Sequence, residues 1–110
     1  MAYYLLQWAF KANQMKAMTE RPNDRTHEAL KVIEAFGGKL HQYFFCFGEY
    51  DGLAICEFPD NVAATACGLT TTGSDAFAKW ETRCLLTAQE AQKAMEKAKN
   101  TKSGYRPPAG

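Results

Sequence analysis

The sequence predicts an α+β domain, a four-stranded antiparallel sheet in βαββαβ order with its helices on one face and a further helix at the C-terminal end. Three observations lead there. Short runs rich in aromatic and aliphatic residues alternate with segments of helical period. A Gly-rich turn, Gly48-Glu49-Tyr50-Asp51-Gly52, joins two of the extended runs into a hairpin. The chain of 110 residues suffices for one hydrophobic core and is too short for two.

Taken in order, Tyr3 to Phe10 reads as the first strand. Lys11 to Glu20, with Met15 and Met18 three apart, allows one or two helical turns before Pro22 interrupts. Asn23 and Asp24 are cap candidates for a helix from Arg25 to Phe36, whose Ala29, Leu30, Ile33 and Phe36 share one face. Gly37-Gly38 ends it, because glycine enters the left-handed cap conformation at no steric cost. Lys39 to Phe47 and Leu53 to Phe58 are the hairpin strands. With Gly48 opposite Leu53, Cys46 would pair with Ile55 and Phe44 with Glu57. Pro59-Asp60 breaks the strand and caps a helix from Asn61 to about Thr72, closed by Gly73. Ala76 to Leu86 is the fourth strand. Thr87-Ala88-Gln89-Glu90 is a capping box opening a helix to about Lys99, with Ala88, Ala91, Met95 and Ala98 as its stripe. Residues 1–100 thus form the domain, and 101–110 an extended, proline-containing tail.

This order is the ferredoxin-like arrangement. Strand alternation then sorts the side chains into two faces. One face, assigned to the helix-covered core, takes Tyr4, Leu6, Trp8 and Phe10; His41, Tyr43, Phe45 and Phe47; Ala54, Cys56 and Phe58; Ala78, Trp80, Thr82 and Cys84. The other takes Tyr3, Leu5, Gln7 and Ala9; Gln42, Phe44 and Cys46; Leu53, Ile55 and Glu57; Phe77, Lys79, Glu81 and Arg83. An apolar patch of that kind left in water is a liability, so the pattern predicts a partner surface and a homodimer or higher oligomer.

Charges nearly cancel, with 13 Lys and Arg against 12 Asp and Glu. That balance predicts neither a nucleic-acid partner nor an acidic membrane surface, each of which wants clustered basic charge. No run approaches the length of a membrane span. The N-terminal Met1 to Trp8 lacks the basic start of a signal peptide, and the four cysteines (Cys46, Cys56, Cys67, Cys84) carry no C-x-x-C spacing. The expectation is a cytoplasmic protein with reduced thiols.

At the hairpin the sequence resembles a known family. Gly37-Gly38-Lys39-Leu40, Phe47-Gly48-Glu49-Tyr50-Asp51 and Cys56-Glu57-Phe58-Pro59-Asp60-Asn61 are similar to the GYD domain family, whose signature is this G-x-Y-D turn. Leu85-Leu86-Thr87-x-x-Glu90 and Gly104-Tyr105-Arg106-Pro107-Pro108 resemble one bacterial branch of it. The resemblance implies a dimeric α/β-barrel type of ferredoxin-like fold and implies little about activity. His41, Cys46, Cys67, Trp80, Arg83 and Cys84 depart from that branch, by drift or to shape a specialised pocket.

Glu57 is the candidate catalytic residue. A carboxylate within a strand between Ile55 and Phe58, desolvated and unpaired, favours its protonated form and suits general acid/base work. The alternative is a structural partner for Lys79 or Arg83 on the same face. Lys79, Glu81 and Arg83 either clamp an anionic ligand or form inter-subunit ion pairs. Gln7 and Gln42 either orient a substrate carbonyl or complete hydrogen bonds at an interface. Tyr50 either meets ligand or packs in the turn, and Asp51 suits tight-turn geometry. Two copies of Cys46 meeting at a two-fold axis would offer thiolates to copper or zinc, a minor alternative; metal-ligand spacing is otherwise absent, and no cofactor is indicated. Two functional readings stand: a dimeric small-molecule protein, up to a cofactor-independent enzyme, or a non-enzymatic accessory protein whose open sheet face binds polypeptide.

Overall fold

The structure, a computed structural model, describes residues 1–110. The elements run β1 (Ala2–Phe10), α1 (Ala12–Glu20), α2 (Thr26–Ala35), β2 (Lys39–Phe45), β3 (Gly52–Phe58), α3 (Asn61–Thr72), β4 (Phe77–Leu85) and α4 (Ala88–Asn100). The four strands form one antiparallel sheet in the order β2-β3-β1-β4, which is the ferredoxin-like topology the sequence predicts, with α4 added.

Local chemistry sets the helix ends. Gly37 takes φ +77, and the N–H groups of Gly37 and Gly38 donate to the carbonyls of Glu34 and Ile33, closing α2 as a Schellman motif. Asp24 Oδ1 accepts from the Thr26 N–H at 2.9 Å at the other end of α2. Asp60 Oδ1 accepts from the Ala63 N–H at 2.8 Å and starts α3. Thr87 and Glu90 form both bonds of the capping box that opens α4. The Lys11–Glu20 segment is longer than one or two turns: α1 is a nine-residue helix, although none of its residues is buried.

The core lies on one side of the sheet. Tyr4, Leu6, Trp8, Ala54, Cys56 and Phe58 project from β1 and β3 onto Ile33 of α2 and Ala64 and Cys67 of α3. Aromatic contacts extend this layer, with Trp8 tilted against Tyr43 at 5.5 Å and stacked on Trp80 at 5.7 Å. The Tyr4 hydroxyl donates to Asn61 Oδ1 at 2.6 Å, tying β1 to the start of α3.

Two bulges change the expected faces. In β2, Leu40 pairs with Cys56 and Gln42 with Ile55, so His41 is the extra residue and turns to the open face rather than the core. In β4, Lys79 pairs with Ala9 and Phe77 with Phe10, leaving Ala78 unmatched. Phe77 accordingly stacks on Phe10 at 5.0 Å and meets Trp80 edge-on at 5.2 Å, on the core side rather than the open face. The hairpin register also differs from expectation. Phe44 faces Leu53 and Lys39 faces Glu57, because β2 ends at Phe45 and the connection is longer than four residues. Phe47 therefore lies beyond the strand, 84% exposed, not in the core. Cys84 sits on the helix side of the edge strand but is exposed, since no helix covers it.

Candidate functional site

The signature turn is built by backbone docking. The Asp51 N–H donates to the Trp8 carbonyl at 2.8 Å, and Asp51 Oδ2 accepts from the Phe10 N–H at 2.9 Å, so the loop continues the sheet alongside β1. Gly52 follows because a Cβ there would stand 2.6 Å from the Trp8 indole. Asp51 is thus a structural anchor, and its position carries Tyr50 toward β4.

Docking of the turn splits the expected open-face residues into two polar groups. At the turn end, the Tyr50 phenol hydrogen-bonds with Glu81, which raises the tyrosine and holds the Glu81 carboxyl below the usual carboxylate range. Arg83 Nη2 lies 2.8 Å from Glu81 Oε2, Lys79 Nζ lies 3.6 Å from Glu49, and the same ammonium stands 5.8 Å from the centre of the Tyr50 ring. Lys79 and Arg83 are thus neutralised by Glu49 and Glu81. Gln7 sits beside this group, in register with Leu53 and Glu81.

At the other end of the face, Glu57 does not pair with Lys79 or Arg83. Its Oε2 lies 2.6 Å from His41 Nε2, which donates to the carboxylate, and the His41 ring lies 5.7 Å from that of Tyr3. The Glu57 side chain is only 16% exposed, held between Lys39 and Tyr3 of its two neighbouring strands. A carboxylate fixed on one imidazole nitrogen selects the tautomer and orients the ring, leaving Nδ1 for other work. The bulge creates this pair. Its trace in the sequence is that core-facing Leu40 and Tyr43 stand three apart, with the polar His41 and Gln42 between them.

Between the two groups runs an apolar band of Leu5, Phe44, Leu53 and Ile55, with Gln42 opposite Ile55. Phe44 is 53% exposed. No helix of the chain covers this face.

The cavity between α2 and the sheet is a different place. It measures about 80 Å³ and is walled mainly by Leu6, Trp8, Phe10, Val32, Tyr43 and Trp80, with Arg25 and Glu28 its charged members. It contains none of the expected site residues, and burial pushes the Tyr43 phenol up to about 12. Among the thiols, Cys46 Sγ donates to the Tyr50 carbonyl at 3.2 Å, while burial raises Cys56 to about 12 and Cys67 to about 11. No group of three His, Cys, Asp or Glu side chains converges as a metal site. No helix is long and apolar enough to cross a membrane.

Comparison with curated proteins and with solved structures finds no match. The pattern of the GYD domain, by contrast, matches residues 4–95, which takes in the sheet from Tyr4 onward, the signature turn and most of α4. With Gly48, Tyr50 and Asp51 forming the turn that docks on β1, the chain belongs to the GYD domain family.

Proposed function

We propose that the chain acts as a two-fold homodimer with the open sheet faces opposed, and that it binds a small organic molecule between them. The observation that supports this most is the His41–Glu57 pair, 2.6 Å apart on the sheet face that no helix covers. Glu57 orients the imidazole, and His41 Nδ1 exchanges a proton with the ligand as general acid or base, with no cofactor required. The Tyr3 ring supplies a flat wall, and Gln42 a donor and acceptor for a carbonyl. The apolar band gives the dimer its driving force: full burial of such side chains contributes roughly 1.5–3 kcal/mol each, less for those already half-covered.

The test is the Glu57→Gln variant beside His41→Gln, with circular dichroism and sedimentation as controls for fold and assembly. Loss of ligand binding or turnover in both variants, with fold and assembly retained, supports the acid–base reading. Unchanged binding and turnover in both sinks it.

A second reading rests on the turn-end group. Because Lys79–Glu49 and Arg83–Glu81 are already satisfied within one chain, they suit the polar rim of a protein interface better than an anion clamp. In that reading the protein is an accessory partner and carries no small molecule.

A further inference from the structure

The C-terminal helix is fully formed yet stands off the body. None of its thirteen residues is buried, and Met95, the largest member of its apolar stripe, is 68% exposed. The Cα radius of gyration is 17.7 Å, with a long axis of 58 Å, where a compact domain of this size has a radius of about 13 Å. A lone helix of this length is marginal in water and gains its stability from a packed face.

The same chain carries an uncovered groove. Between α3 and the edge strand β4 runs a channel lined by Thr65, Gly68, Leu69, Trp80 and Thr82, continuing to the exposed Cys84. Leu69 is 68% exposed there. At 1.5 Å per residue, α3 offers about 18 Å of groove and α4 about 20 Å of helix. The groove side of α3 carries Thr65, Gly68 and Thr72 beside Leu69, and the α4 stripe carries Ala88, Ala91 and Ala98 beside Met95, so the backbones can approach closely on either side of the two large side chains. Charge sets the direction. Antiparallel packing places Lys97 and Lys99, in the last turn of α4, beside Asp60 at the start of α3, and opposes the helix dipoles. Within one chain the two cannot meet in this way, because α4 begins three residues past Leu85, at the Cys84 end of the groove, and so short a link cannot reach the far end where an antiparallel α4 would have to start.

We propose that α4 is an exchanged arm, lying in the α3–β4 groove of a second copy of this chain while that copy's α4 lies in the first. Reciprocal exchange closes the contact on a two-fold axis, which a one-way insertion would not do. The groove opens on the helix side of the sheet, so this contact is separate from the pairing of open sheet faces and persists without it.

Antiparallel docking sets Ala98 near Cys84 of the other copy. The full-length Ala98→Cys protein treated with a short bis-maleimide is therefore expected to give a covalent dimer joined through Cys84. The link should vanish with Cys84→Ser, fall at least ten-fold with Met95→Glu, and survive Leu53→Lys with Ile55→Lys, which removes only the sheet-face pairing. A dimer that persists without Cys84, or Ala98→Cys protein that stays uncrosslinked with both thiols modified, overturns the exchange. Loss of the crosslink in the folded Leu53→Lys, Ile55→Lys protein overturns the separateness of the two contacts.

Discussion

Replacing Asp51 by Ala tests the account of the signature turn. Asp51 Oδ2 accepts from the Phe10 N–H at 2.9 Å. Hydrogen bonds to a charged group contribute about 1.5–3 kcal/mol net, but Phe10 is half-buried and water can replace part of the loss, so the expected destabilisation is about 1–2 kcal/mol. At roughly 4 °C per kcal/mol for a domain of this size, Tm falls by about 4–8 °C. Asp51→Asn keeps an acceptor without the charge, and about half that loss is expected. Urea unfolding and thermal melts at one fixed protomer concentration measure both variants, since assembly would otherwise shift the midpoint. Hydrogen exchange reports the site itself: the Phe10 amide should exchange faster in Asp51→Ala, while the Asp51 amide, bonded to the Trp8 carbonyl, keeps most of its protection. An alanine variant as stable as the parent, with a protected Phe10 amide, refutes the reasoning.

Three further outcomes are expected. Gly52→Ala sets a Cβ 2.6 Å from the Trp8 ring and should cost about 1–3 kcal/mol in urea unfolding, with a perturbed tryptophan spectrum; a neutral result would mean the ring has room to move. A thiol reagent at neutral pH should label exposed Cys84 first and reach Cys56 and Cys67 only on unfolding. The raised folded values of those two thiols, about 12 and about 11, give stability that is intact below the ordinary thiol pKa of 9.0. That stability is lost as pH rises toward the folded values, because the unfolded chain ionises first; an alkaline denaturation no less steep in Cys67→Ala would count against it. Tyr50→Phe should move the Glu81 titration upward toward the ordinary carboxylate value, read by carbon-13 NMR, since the Tyr50 hydrogen bond is the main cause of its depression. The stabilisation from Glu81 is present above the unfolded carboxylate pKa and is lost as pH falls through the lowered folded one.

Where a structural decision is made by neighbours in sequence, the residues announce it. Gly37, Asp60 and the Thr87–Glu90 box each satisfy backbone groups within four residues, so the ends of α2, α3 and α4 are legible without a fold. The sorting of side chains between the two faces of the sheet is legible too, as long as alternation continues unbroken: Tyr4, Leu6 and Trp8 are all buried. Alternation fails at the bulges, because one extra residue puts the two parts of a strand out of phase: Tyr43 and Trp80, beyond the bulges, keep the expected face, and residues at or before them do not. His41 and Phe77 change sides for this reason, and the partner of Glu57 changes with them. The hairpin register was similarly hidden, since the docking of Asp51 onto Trp8 and Phe10 is a contact across more than forty residues. Nothing local distinguishes a helix stripe that packs at home from one that packs elsewhere, so the standing-off of α4 emerges only in three dimensions.

Native mass spectrometry of freshly purified protein tests the central claim, that two copies enclose a small organic molecule against His41 and Glu57. The account predicts assemblies of even subunit number carrying added mass of an organic compound, with that mass released on denaturation and absent from Glu57→Gln. Bare subunits of the sequence mass, or an added mass that Glu57→Gln retains undiminished, would contradict it.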